Sequence, residues 1–392
     1  MRDVYVASAV RTPIGKFGGA FASCSAADLG VAAARGALSR AGFPAEAVTE
    51  VVFGHARQAG GGPNSARQVA HRAGVPDAVP AYTINKACAS SMKAISLAAL
   101  SIAAGENEAV LAGGHECMSA TPYMLPRARF GYRMGDAELV DGMYRDGFLC
   151  PLCGDLMGET AERLADRYTI SREEQDRYAL TSQERAETAI AAKRFDSEIV
   201  PVEVEGRKGT VTVSADENPR PGSTLEALSR LPAVFRPGGT VHAGNSSGIT
   251  DGAAAVLLVS GEAARRAGVE PLAKVTAWTS AGVDPAVMGI GPVPAVGALL
   301  KKTGLRLPDV DLIELNEAFA VQVIACERDL GIDRERLNVN GGAIALGHPI
   351  GATGARISVT LLHEMHRRGA RRGIATLCVS GGMGMAVLFE RV

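Results

Sequence analysis

Short apolar runs alternate with Ala-rich helical stretches twice over, in the same order, and this constrains the fold more than any other feature of the chain. Runs at Val4–Val10, Val51–Phe53, Tyr82–Asn85 and Ala109–Ala112 are interleaved with helical patterns at Ala27–Ala41 and Met92–Ala104. After Ala253–Ser260 the alternation returns at Ala273–Trp278, Leu312–Leu315, Leu337–Asn340, Ile374–Val379 and Met385–Phe389. Alternating strands and helices argue for βαβ units and a largely parallel sheet. The two passes also read as weak copies. Glu50–His55, Thr83–Asn85 and Val110–Gly114 parallel Asp311–Asn316, Asn338–Asn340 and Leu377–Gly382, which predicts an internal duplication.

A length of 392 residues exceeds a single core and fits several domains. The duplication divides the chain into a first half at 1–118 plus 249–270 and a second half at 271–392. Residues 119–248 differ in texture and read as an insertion. There Ser171-Arg-Glu-Glu174 predicts a capping box opening a charged helix to about Lys193, and Val200–Glu205 with Thr210–Val213 predicts a hairpin through Gly206–Gly209. Aromatic residues make up only 5% of the chain, against 46 glycines, so close packing of small side chains is expected.

The formal net charge of −1 provides no electrostatic footprint for nucleic acid. No signal-peptide pattern opens the chain and no apolar run stands out as a membrane span, so a cytoplasmic protein without a membrane partner is expected. The seven cysteines are odd in number and scattered, unlike a disulfide framework. Cys150-Pro-Leu-Cys153 has C-x-x-C spacing, but neither a second pair nor a nearby histidine completes a metal set, and no metal is expected.

Cys88 stands in Tyr82-Thr-Ile-Asn-Lys-Ala-Cys88, where an extended run turns into a helix. Free N–H groups at a helix start favour a thiolate and predict a thiol pKa lowered towards neutrality, although a buried structural cysteine fits the same segment. A cysteine nucleophile needs a base and charge-stabilising donors. His348, fixed by Pro349 and flanked by Gly347, Gly351 and Gly354, reads as a site residue. Cys378 ends an apolar run before Ser380-Gly-Gly382 and is a candidate acid/base beside an anion-binding nest. Asn316 could donate to a carbonyl oxygen, directly or through water, or simply cap a helix.

Four motifs in order carry a resemblance: Asn85-Lys-Ala-Cys-Ala-Ser-Ser91, Asn316-Glu-Ala-Phe-Ala320, Gly341–Arg356 and Cys378-Val-Ser-Gly-Gly382. The chain resembles the thiolase family over its whole length, from Ala9-Val-Arg-Thr-Pro-Ile-Gly15 to the last strand. The resemblance implies a five-layered α-β-α-β-α fold, an inserted loop domain that binds coenzyme A, and a homotetramer built from dimers. It implies acyl transfer between CoA thioesters, with CoA as substrate and product and no separate cofactor. Cys88 would be the acylated nucleophile and His348 its activator. His348 and an Asn316-held water would form one oxyanion hole, the backbone N–H groups of Cys88 and Ser380 the other, and Cys378 would move the α-carbon proton. Arg220 and Ser247 would contact CoA, while Met157 and Phe319 would line the acyl pocket.

Three departures stand out. Leu156-Met157-Gly158 replaces a frequent His-Met-Gly, Ser90-Ser91 replaces Gly-Ser, and Ser380 replaces a glycine. The expected reaction is acetyl-CoA C-acetyltransfer, two acetyl-CoA to acetoacetyl-CoA plus CoA and its reverse. Alternatives are a medium- or long-chain 3-ketoacyl-CoA thiolase of β-oxidation, a decarboxylating ketoacyl synthase, which would dispense with Cys378, and a non-catalytic thiolase-like scaffold that binds acyl-CoA or lipid.

Overall fold

A computed structural model describes residues 2–206 and 209–392. The first half contains β1 (Val4–Arg11), α1 (Ala26–Ala41), β2 (Glu50–Gly54), α2 (Ser65–Arg72), β3 (Ala81–Ile84), α3 (Ser90–Ala104) and β4 (Ala109–Cys117). Between Cys117 and Thr250 the chain forms α4 (Met157–Tyr168), α5 (Arg172–Ala191) and the paired strands Val202–Gly206 and Gly209–Val213, then enters β5 (Thr250–Ser260). The second half contains β6 (Ala273–Gly282), α6 (Pro292–Thr303), β7 (Leu312–Leu315), α7 (Ala320–Leu330), α8 (Thr353–Arg368), β8 (Arg372–Val379) and β9 (Met383–Arg391). Residues 207 and 208 of the expected hairpin turn lie outside the described residues.

The strands follow the order β7-β8-β9-β6-β1-β5-β4-β2-β3, with Gly15–Lys16 added beside β5. Outward from the β1–β6 junction the two wings are equivalent: β1, β5, β4, β2 on one side correspond to β6, β9, β8, β7 on the other. The place of β3 is taken in the second wing by Leu337, which only bridges Ile313. Leu337–Asn340 is therefore not the strand the apolar pattern predicts, and a second bridge, Val339 to Gly341, matches Lys86 to Cys88 in the first wing. Within the sheet, strands β1 and β6 of the two wings pair at Tyr5 with Lys274 and Val6 with Ala273.

A largely parallel sheet was the expectation; the sheet is mixed. Only β2–β3, β2–β4 and β7–β8 are parallel. The central strands run antiparallel because β5 returns after the long insertion and β9 folds back from β8 through a three-residue turn. Local apolar pattern does not encode strand direction.

Strand β5 buries both faces. In β5, Ala254, Val256 and Leu258 point inward while Ala255, Leu257 and Val259 point outward, as period-2 geometry requires. The inner faces of both wings close on α3 and α8, which pack against each other, whereas α1 and α2 cover one outer face and α6 and α7 the other. The result is five layers, α-β-α-β-α. The segment Ala87–Ala104 is long and apolar enough to cross a membrane, contrary to the sequence reading, and here most of it is buried inside the protein as part of the middle layer. The capping box expected at Ser171 is half made. Ser171 accepts from the Glu174 N–H, but the Glu174 carboxylate pairs with Arg328 instead.

Candidate active site

The corner that presents Cys88 is held by short-range hydrogen bonds. The Asn85 side chain accepts from the Ala87 N–H at 3.0 Å and donates to the Ala56 carbonyl at 3.1 Å, while the Ser90 hydroxyl accepts from Lys86 N–H and donates to the Ala87 carbonyl. These contacts hold Ala87 at φ 45°, a left-handed conformation that costs a non-glycine residue about 1–2 kcal/mol. Cys88 thus precedes helix α3 by two residues rather than sitting in its first turn.

That placement changes the electrostatics expected from sequence. Burial raises the Cys88 thiol above its ordinary value, outweighing the Ser380 N–H aimed at its sulfur and the nearby Arg57. In the free protein Cys88 is a neutral thiol, so it needs a base.

His348 follows Gly347, whose φ of 107° requires glycine, and is itself buried. Burial, with Arg356 and Arg57 adding positive charge, pushes its pKa down to about 3. The Thr353 hydroxyl donates to the Pro349 carbonyl at 2.9 Å and so accepts from His348 Nδ1, 2.6 Å away. This fixes the tautomer: Nδ1 carries the hydrogen and Nε2 is left as a neutral acceptor.

Cys378 ends β8 and is buried. Its thiol is raised well above the ordinary value by burial, then by the proximity of Cys88 and Cys326. The turn that follows uses positive φ at Gly381 (84°) and Gly382 (80°), whereas Ser380 has no positive φ and replaces the usual glycine without strain.

Asn316 is not a helix cap, because α7 begins at Ala320 without a side-chain cap. Its buried carboxamide makes no hydrogen bond through either polar atom. Leaving such a group unpaired costs about 1–3 kcal/mol, and it is suited to holding a ligand or a water.

A cavity of about 500 Å³ collects Cys88, His348, Cys378 and Ser380 with Met157, Phe319, Arg220 and Ser247. Of the predicted site residues only Asn316 is not among those lining it. The cavity also uses residues that the sequence did not mark: Arg57, Phe148, Phe235 and Met288. Phe235 meets Phe319 edge-on at 6.3 Å and packs so tightly on Gly158 that a Cβ there would fall 2.2 Å from its ring. Arg57 donates to the Asp146 carbonyl at 3.0 Å, its guanidinium lying against Gly147, where a Cβ would displace it. Glu116 ties the halves together, accepting from the N–H groups of Ala56, Arg57 and Gly351. No local pattern marks Arg57 or Glu116, since their partners lie far away in sequence.

Family models place this arrangement. "Thiolase, N-terminal domain" matches residues 4–262 and "Thiolase, C-terminal domain" residues 269–391. The chain belongs to the thiolase family. Among its thiolase relatives, an acetyl-CoA acetyltransferase from Cupriavidus necator is 52% identical over 392 residues, covering all of both chains, and one from Escherichia coli is 50% identical over 393 residues with the same full coverage. In structure, the acetyl-CoA acetyltransferase of Bacillus anthracis superposes with a TM-score of 0.98 at 46% identity, covering 100% of this chain and 99% of that one. A human mitochondrial 3-ketoacyl-CoA thiolase superposes with a TM-score of 0.97 at 44% identity, with the same coverage. The five-layered thiolase fold expected from the motifs is the fold observed.

Proposed function

We propose that this protein is an acetyl-CoA C-acetyltransferase, interconverting two acetyl-CoA with acetoacetyl-CoA plus CoA through an acetyl-Cys88 intermediate. The observation that carries the reading is one cavity lined by two thiols and a neutral histidine whose free nitrogen is Nε2. Full-length relatives named acetyl-CoA acetyltransferase support it.

His348 Nε2 takes the Cys88 proton as sulfur attacks the thioester carbonyl, then returns it to the departing CoA thiolate. The Asn316 carboxamide, through a water, and His348 stabilise the oxyanion. In the second half-reaction His348 takes the Cys378 proton, the Cys378 thiolate removes the α-proton of another acetyl-CoA, and the carbanion attacks acetyl-Cys88, expelling the Cys88 thiolate, which takes the proton back from His348. The N–H groups of Cys88 and Ser380 stabilise the second oxyanion. Arg220 and Ser247 are assigned to CoA, an arginine suiting phosphate. Met157, Met288, Phe319 and Phe235 close the acyl end and favour a short chain.

Residues 119–248 form the CoA-binding loop domain in this reading. Exposed Tyr123, Leu125, Phe130, Met134 and Leu139 within it support self-association, read as a homotetramer. The cytoplasm is the compartment assigned, in keeping with seven free cysteines.

The test is labelling with radioactive acetyl-CoA. Cys88→Ala loses the label and turnover by a factor of ~10³ or more. Cys378→Ala keeps the label on Cys88 but forms no acetoacetyl-CoA. Normal turnover in Cys88→Ala, or normal condensation in Cys378→Ala, overturns the assignment. Faster thiolysis of a medium-chain 3-ketoacyl-CoA than of acetoacetyl-CoA overturns the acetyl preference alone.

A further inference from the structure

The C-x-x-C segment is not part of the acyl-transfer machinery, yet it touches it. Cys150 and Cys153 sit at the two ends of one tight turn, closed by Gly154 N–H to the Cys150 carbonyl and Cys150 N–H to the Asp155 carbonyl, both 2.9 Å. Residues three apart in such a turn hold their Cα atoms within about 7 Å, the range a disulfide needs. The Cys150 sulfur is buried and receives the N–H groups of Cys153, Leu152 and Gly381 together with the Cys153 thiol. Leu152 packs on the same glycine, with Cδ1 3.7 Å from where a Gly381 Cβ would stand. Gly381 adjoins Ser380, whose N–H reaches Cys88. Cys153 is half-buried and open to reagents.

We propose that Cys150 and Cys153 form a reversible thiol–disulfide site that exchanges with small-molecule disulfides and sets the reactivity of Cys88 through the Ser380–Gly382 turn. Cys153, the more exposed of the two thiols, attacks the small disulfide, forming a mixed disulfide and releasing one small thiolate, which takes up the Cys153 proton. Cys150 then attacks the Cys153 sulfur and expels the second small thiolate, which takes up the Cys150 proton. The two protein thiols are oxidised to a disulfide and the small disulfide is reduced to two thiols. Although burial opposes the anion, the surrounding N–H groups hold the Cys150 thiol below its ordinary value, which suits the resolving step. Oxidation ties the Cys150 sulfur that the Gly381 N–H faces into the 150–153 disulfide and so shifts the turn that carries the Ser380 N–H. The coupling to Cys88 rests on the acyl-transfer reading, but the dithiol chemistry does not.

Full-length protein and Cys153→Ser are equilibrated across a series of glutathione redox ratios. Free thiols are then trapped with iodoacetamide and mapped by peptide mass, and the rate of Cys88 alkylation is measured separately. The expected result is a 150–153 disulfide in the native chain, with Cys88 and Cys378 still trapped as thiols. Cys88 alkylation slows several-fold in step with that disulfide, dithiothreitol reverses both effects, and Cys153→Ser is insensitive to the series. Three results overturn the proposal: Cys150 and Cys153 trapped free at every ratio, glutathione remaining on Cys153, or a 150–153 disulfide that leaves the Cys88 rate unchanged. The peptide map reads the same whether or not the protein transfers acyl groups.

Discussion

The charge state of a thiol–imidazole pair is set by what surrounds it, and the proposed catalytic pair, Cys88 and His348, is neutral on both sides. Burial raises the thiol and lowers the imidazole, so the two cannot form the thiolate–imidazolium pair that a helix N-terminus would favour. The sign for pH dependence follows. An ordinary histidine begins to protonate below about pH 6.5, whereas His348 stays neutral until pH nears 3. We expect kcat/KM for thiolysis of acetoacetyl-CoA to show no acid limb near pH 6.5 when scanned between about pH 5 and pH 8. A limb centred there that is lost in His348→Asn would mean the imidazole titrates normally. Cys88 was legible where an extended run turns into a small-residue helix start, and His348 and Cys378 where apolar runs meet glycine or proline punctuation. The pKa direction of Cys88 was not, since it depends on atoms from Ser380 and Arg57 packed around the sulfur.

Elements bring these residues together, and α3 and α8 do most of it. Cys88 lies just ahead of α3, His348 five residues ahead of α8, and the two helices approach so closely that a Cβ on Gly354 would stand 2.5 Å from both the backbone nitrogen and the Cβ of Met92. Backbone cannot yield as a flexible side chain does, so Gly354→Ala should destabilise the protein by about 1–3 kcal/mol. It should also lower kcat more than it raises KM, because it separates the proposed nucleophile from its proposed base without touching Arg220 or Ser247, the residues assigned to CoA. Denaturant unfolding and steady-state kinetics check both, and unchanged stability would refute the close approach. Helix and strand positions were readable from apolar periodicity to within a few residues. Leu337–Asn340 was misread because an apolar run forms a strand only where a neighbour offers a continuous edge, and there only Ile313 meets it. Parallel and antiparallel pairing escaped for a related reason: direction is fixed by the route the chain takes between strands.

For the molecule as a whole, the duplication does not produce two independent domains. The β1–β6 junction has only two residue pairs, too few to hold the wings together alone, but the middle-layer core draws side chains from both wings. Val4, Val256 and Val110 share it with Ala375, Val387 and Phe389. Separating the wings would expose the inner face of each, with α3 and α8 left half covered. Burial of such faces at roughly 25 cal/mol per Å² makes a half-folded state costly. Unfolding should therefore be a single transition despite a length at which intermediates are common. The chain provides a direct probe, because its one tryptophan, Trp278, lies in β6 of the second wing and packs against the shared core. In a urea titration, Trp278 fluorescence and far-UV circular dichroism, which reports helices of both wings, should trace the same curve with one midpoint. A fluorescence transition that precedes or follows the dichroism would mean that the wings unfold separately and that the central helices belong to only one of them.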